Sequence, residues 1–210
     1  MSNGGVSIDA LMPKDMAVKA ENIGIAKAGL GAYRMFALAI LAGAFIAMGA
    51  NYATTVWSGL GKIVVSSGSE TVFTTGLPYG IIRLLGGIVF ATGLIMVVIG
   101  GSELFTGNCL IPMAWASKKV TTGSMLRNWV IVYIGNFVGS VLTAYLVFLG
   151  GQHTFGGGAV GVTALNIGIA KNSLGFLQCT VLAIFCNALV CMAVWMCFSA
   201  RSNVDKVFVI

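Results

Sequence analysis

Residues Val98 to Asn108 read VIGGSELFTGN. They close an apolar run that begins near Tyr79 and carries no charge between Arg83 and Glu103. A helix facing lipid has no use for two adjacent glycines, a serine and a carboxylate at this point. A glutamate inside the bilayer costs at least about 2.5 kcal/mol unless it is paired. Irregular backbone at that depth is tolerated only where it is buried in protein or lines a cavity. The stretch is therefore predicted to be a re-entrant break in a membrane span. It places Glu103, Leu104, Phe105, Thr106, Gly107 and Asn108 at a permeation pathway. The plainer alternative is a helix that ends with Glu103 among the headgroups. The next uncharged piece, up to Ser117, is too short to span by itself, which favours the break.

The rest of the composition agrees with a lipid solvent. Of 210 residues, 58% are hydrophobic and 9% charged, with a mean hydropathy of +0.95. Soluble domains carry about 25% charged residues, so this chain cannot cover itself against water. That excludes an ordinary cytosolic enzyme, a disordered regulator and a nucleic-acid module. The net charge of +6 reads as basic loops beside a membrane rather than as a footprint for nucleic acid. The N-terminus mixes Asp9, Lys14, Asp15, Lys19 and Glu21 and lacks the basic-then-apolar order of a cleavable signal.

Charged residues delimit four spans, at about 35–57, 79–101, 129–149 and 174–198, with the broken segment 102–117 after the second. Their runs lack the polar face of a soluble helix. Residues 1–32 form an N-terminal segment ahead of a transmembrane domain at 33–210. Within it, Asp9 to Gly29 is predicted to be an amphipathic helix with Leu11, Met16, Ala20 and Ile23 on one face, suited to a membrane surface or a subunit contact. The third span is followed by a glycine-rich loop from Gly150 to Lys171. Gly135 and Gly139 make a GxxxG, whose small residues let helices approach closely in lipid.

Nine of the twelve Lys and Arg residues fall on one side: Lys14, Lys19, Lys27, Arg34, Lys118, Lys119, Arg127, Arg201 and Lys206. Lys62, Arg83 and Lys171 fall on the other. The positive-inside rule puts the N-terminus in the cytoplasm and the Lys62 and Gly150–Lys171 loops outside. LAILAGAFIAMGA from Leu38 aligns with LAIFCNALVCMAV from Leu182, five of thirteen positions being identical. In apolar helices that is weak. Taken with the opposite directions of the two spans, it suggests an inverted repeat, whose second half needs a chain of roughly 280 residues. VFVI at the C-terminus then reads as the start of a fifth span that is cut off.

Five cysteines (Cys109, Cys179, Cys186, Cys191, Cys197) show no CxxC and no metal-ligand spacing. Most sit in apolar runs as small packing residues. No metal and no cofactor is expected. A membrane thiol oxidoreductase using Cys186 and Cys191 is one alternative, weakened by the absence of a neighbouring base and by a mid-span setting that disfavours a thiolate. A scaffold subunit rich in small residues is another.

Two motifs carry a resemblance. GSELFTG (Gly101 to Gly107) resembles the signature of the formate–nitrite transporter family at every position. Ala183, Cys186, Asn187, Val190, Cys191 and Ala193 resemble the family's second signature, with departures at Ala188 and Met192. GNFVGS (Gly135 to Ser140) and SARSNVDK are similar to further landmarks, and the likeness runs from about Leu11 to the end. It implies an all-α, aquaporin-like inverted-repeat bundle with a broken second span, four of six spans being present. It also implies a homopentamer in the cytoplasmic membrane, each subunit with its own pore for a small monovalent anion: formate, nitrite or hydrosulfide. No enzymatic activity is implied. By the same resemblance, Phe90 and Val190 form an outer constriction, and Leu94 and Leu104 an inner one. Thr106 offers a hydroxyl in the chamber, and Lys171 attracts anions at the vestibule. Asn136 and Asn187 are polar residues beside the pore. The family's central histidine lies on a fifth span. His153, the chain's one histidine, stands in the outer loop outside that motif and takes no such role.

Overall fold

The computed structural model describes residues 10–59, 63–67 and 70–210. Four of its helices are long and apolar enough to cross a membrane: α2 (Ala32–Gly59), α3 (Tyr79–Gly100), α6 (Thr122–Leu149) and α8 (Phe176–Ser199). Shorter helices connect them: α1 (Pro13–Ala28), α4 (Phe105–Asn108), α5 (Ile111–Ala116), α7 (Ala159–Asn172) and α9 (Asn203–Val209). The four expected spans and the break after the second are all present.

Helix α2 is the axis of the bundle, with α3 packed on one side and α6 on the other. Small residues make this possible. A Cβ added at Gly139 of α6 would stand 2.9 Å from the Ile40 carbonyl carbon and 3.0 Å from Ala44 N on α2. A Cβ at Gly93 of α3 would stand 2.9 Å from the Phe45 oxygen. The GxxxG at Gly135 and Gly139 therefore sets a backbone-on-backbone contact within the chain, as packing in lipid requires. Met35, Ala39 and Val132 are fully buried at the α2–α6 seam, and Ala42, Leu94 and Val97 are buried at the α2–α3 seam. Large apolar side chains such as Tyr133, Phe137, Phe176 and Phe185 point outward.

Several expectations need correction. The third span starts at Thr122, not near Trp129, because the Thr121 hydroxyl accepts from the Ser124 N–H and caps the helix there. Arg127 marks a charge boundary but not a helix end. The glycine-rich stretch after Gly150 is not a loop throughout. Gly156, Gly157 and Gly158 take left-handed φ values of 61°, 65° and 92°, turn the chain sharply, and deliver it into α7. Between α2 and α3 lies one hairpin, β1 (Ile63–Ser67) antiparallel to β2 (Glu70–Thr75), with Ile63 opposite Thr75, in a fold that is otherwise helical as expected. Its β-branched residues suit a strand. Lys62, assigned to an outer loop, lies outside the described residues.

The N-terminal segment is helical as expected, but its buried face is turned to its own chain. Met16 and Ala20 pack with Phe198, and Ala28 packs with Ile111 and Met125. The VFVI ending falls in the seven-residue α9, which a reciprocal cap starts. Asp205 N–H donates to the Ser202 hydroxyl, and Ser202 N–H donates to the Asp205 carboxylate.

Candidate functional site

The break begins where Gly101 adopts a left-handed φ of 67°, a conformation that favours glycine. The chain then passes through Leu104, which is extended, and turns into α4, a single helical turn. Such backbone needs partners, and Asn136 of α6 supplies them. Its Oδ1 accepts from Phe105 N–H at 2.9 Å, and its Nδ2 donates to the Ala39 oxygen at 2.8 Å and the Glu103 oxygen at 2.9 Å. Glu103 N–H donates to the Leu38 carbonyl at 3.2 Å. One asparagine thus joins α2, the break and α6.

The Glu103 carboxylate is buried and paired. Lys27 Nζ of α1 donates to Oε1 at 2.8 Å, and Asn108 Nδ2 donates to Oε2 at 2.8 Å. Asn108 is wholly buried and also donates to Asn128 Oδ1 at 2.9 Å, while Asn128 Nδ2 donates to the Lys27 carbonyl at 3.2 Å. Trp129 Nε1 donates to the Asn108 carbonyl. This closed network makes the cost of a buried carboxylate tolerable. Among the described residues Asn108 Oδ1 has no partner.

Lys27 and Asn128 were absent from the sequence-derived set. Lys27 had been read only as a marker of membrane orientation, since 76 residues separate it from Glu103. One signal was available: Lys27 precedes Lys171 by 144 residues, the offset that relates Leu38 to Leu182.

Three of the four expected constriction residues come together. Leu94 of α3, Leu104 of the break and Val190 of α8 meet in one apolar cluster with Ala42 and Val97. Phe90, one turn before Leu94, stays outside it and is exposed. Beside the cluster lies a cavity of about 230 Å³, walled by Lys27, Leu94, Glu103, Leu104, Gly107 and Val194 among others. Phe105 turns its ring away, edge-on to Trp129 and Tyr133 with centroids at 6.2 and 5.5 Å. The Thr106 carbonyl accepts from the Cys191 thiol at 3.4 Å. Asn187 Nδ2 lies 3.8 Å from Cys191 Sγ.

The remaining polar groups lie apart from that cluster. Lys171 is exposed in the last turn of α7. His153 stacks on Phe148 at 4.8 Å and lines a separate cavity of about 490 Å³ between α2, α6 and α7. Next to it, Asn51 Nδ2 donates to Gln152 Oε1 at 2.7 Å, tying the turn after α6 to α2. At the other end of the bundle, Lys119 and Ser117 both bond the Glu21 carboxylate. The Lys119 hydrogen bond, then that of Ser117, holds this carboxyl below its ordinary range. Among the described residues no three His, Cys, Asp or Glu side chains converge as a metal cage.

A sequence profile described as formate/nitrite transporter matches residues 14–210. The formate channel FocA of Escherichia coli (strain K12) is 37% identical over 201 residues, covering 96% of this chain and 66% of that protein. FocA of Haemophilus influenzae is 37% identical over 207 residues, covering 99% of this chain and 68% of that protein. A solved pentameric formate channel with formate bound superposes with a TM-score of 0.68 at 39% identity, covering 85% of this chain and 64% of that one. The chain spans about two thirds of the length of these relatives, and it shares their helical membrane fold.

Proposed function

We propose, since the chain belongs to the formate/nitrite transporter family, that it forms a multi-pass membrane pore for small monovalent anions, with formate as the cargo. The observation that carries this reading is the broken second span. It sets Leu104 against Leu94 and Val190 at the foot of a polar segment, in a chain whose relatives are named formate channels. Nitrite is the second reading, from the family's description. Hydrosulfide is not favoured, because the similar proteins are named for formate.

The chemistry follows from the cost of a bare charge. A dry apolar constriction passes a neutral molecule far more readily than an ion. Lys171 raises the local anion concentration at the outer mouth, and Leu94, Leu104 and Val190 narrow the path. The anion takes up a proton and crosses as the weak acid, past Thr106. Glu103 and Asn108 hold the break in shape from behind, with Asn136 and Asn187 beside it. Phe90 completes the outer constriction in the assembled protein. The protomer assembles as a homopentamer, as the solved relative does, and its outward apolar residues meet lipid or neighbouring subunits. Its N-terminus lies in the cytoplasm, by the charge asymmetry, and its membrane is the cytoplasmic one. The protein moves its cargo unchanged and is not an enzyme.

The test is formate uptake into proteoliposomes of the purified protein over a pH series, with nitrite and hydrosulfide as competitors. Uptake is expected to rise as pH falls, to yield to nitrite before hydrosulfide, and to drop at low formate in Lys171→Met. Uptake indifferent to pH would remove the proton-linked crossing. No uptake above empty vesicles would remove the channel.

A further inference from the structure

The break carries a pair of thiols that anion passage does not use. Cys109 directly follows α4, and its S–H donates to the Phe105 carbonyl at 3.5 Å. Cys191 comes from α8, and its S–H donates to the Thr106 carbonyl at 3.4 Å. The two acceptors are consecutive carbonyls of the same helical turn, so thiols remote in sequence are held over one short helix. Asn187 stands one turn before Cys191 on α8. Its side-chain Nδ2 reaches Cys191 Sγ at 3.8 Å. Its Oδ1 is buried and has no hydrogen-bond partner among the described residues. Both cysteines are half-buried and free of any disulfide, whereas Cys179 and Cys186 are exposed and Cys197 is buried.

Two sulfurs are too few for Zn²⁺, which takes four ligands at structural sites, and too soft for Mg²⁺ or Ca²⁺. Soft sulfur donors select soft ions. Charge then decides among these. Two thiolates on a monovalent ion leave a net negative charge in an apolar setting, whereas two thiolates on a divalent ion are neutral, and a buried unpaired charge is costly.

We propose that Cys109 and Cys191 form a two-thiolate site for a soft divalent ion of the Hg²⁺ class, tying the break to α8. Two S–H bonds are lost and two S–Hg bonds form. Two protons leave to solvent, and no oxidation state changes. The site does not depend on what the pore carries, so its test reads metal rather than flux.

The experiment uses the full chain in detergent with Cys179, Cys186 and Cys197 each replaced by serine. Hg²⁺ alone is titrated against a competing monothiol, and bound metal is measured after gel filtration. One Hg²⁺ per protomer is expected to be retained. Adding Cys109→Ser or Cys191→Ser is expected to weaken retention by about 10²- to 10⁴-fold, the gain of linking two donors over one. Two ions per protomer, one on each thiol, would overturn the proposal, and this readout stands even if a single-cysteine variant fails to fold. Retention unchanged by either replacement would overturn it as well.

Discussion

Gly139→Ala is the most direct test of how the bundle is held together. The added methyl would meet the Ile40 carbonyl carbon at 2.9 Å and Ala44 N at 3.0 Å, with the Ile40 oxygen closer still. All three are backbone atoms, so no side chain can rotate to make room. Ordinary carbon contacts lie at about 3.5–4.0 Å, so α6 must move away from α2 by about 0.6 Å to clear the carbonyl carbon and by more to clear the oxygen. A gap of that size forfeits a quarter to a half of each contact's attraction along the seam. Overpacking costs typically about 1–3 kcal/mol, and an unyielding backbone puts this site at the upper end. Alanine's better helix propensity returns about 1 kcal/mol. The expected net loss is about 2 kcal/mol, roughly a 30-fold change in the unfolding equilibrium. The assay is SDS-induced unfolding of the purified protein in mixed micelles, followed by circular dichroism. Gly87→Ala is the control, because nothing lies within 4 Å of its added methyl, and it should be neutral or slightly stabilising. If Gly139→Ala unfolds with the parent while Gly87→Ala does not, the contact between α2 and α6 is not what limits this seam.

Lys27→Met leaves the Glu103 carboxylate buried with only Asn108 on it, and breaking a buried pair costs about 3–5 kcal/mol. With Lys27 a quarter exposed, the low end is expected, and the double variant Lys27→Met, Glu103→Gln should recover most of the loss in the same unfolding assay. Asn136→Ala strands the Phe105 N–H and the Glu103 carbonyl and removes a second hydrogen bond from the Ala39 carbonyl. Each stranded buried group costs about 1–3 kcal/mol, so a loss of about 3 kcal/mol and faster hydrogen exchange at the Phe105 amide are expected. The Glu21 carboxyl is held low by Lys119 and Ser117, so its contribution is present above its ordinary value of 4.5 and fades as pH falls toward the lowered one. Hydrogen exchange in α1, corrected for intrinsic rates, should rise on acidification in the parent and show no such step in Glu21→Gln.

Period and charge made the spans legible before any coordinates. Uncharged apolar runs of span length have one stable use, and a carboxylate behind paired glycines has few, so α2, α3, α8 and the break were all readable. The ends were less so. Thr121 caps α6 well before the apolar run begins, and a cap is a single hydroxyl rather than a pattern. α7 was missed because three glycines with left-handed φ look like a loop in a sequence, yet here they aim a helix. The hairpin was missed because two short strands form no run long enough to stand out among apolar spans.

The site divides in the same way. GSELFTG announces irregular backbone at membrane depth, and the second signature marks Val190 for a constriction with Phe90. Both are local facts, carried by residue types that only a broken helix and a tight seam can use. Which groups neutralise Glu103 is not local. Lys27 reaches it from α1 across 76 residues of chain, while Asn128 of α6 braces Asn108, which holds its other oxygen, and no spacing rule encodes that distance. The meeting of Leu94, Leu104 and Val190 likewise depends on how far α8 and the break are drawn toward α3. Residue chemistry is written along the chain, whereas the partners that satisfy a buried charge or close a constriction are set by packing in three dimensions.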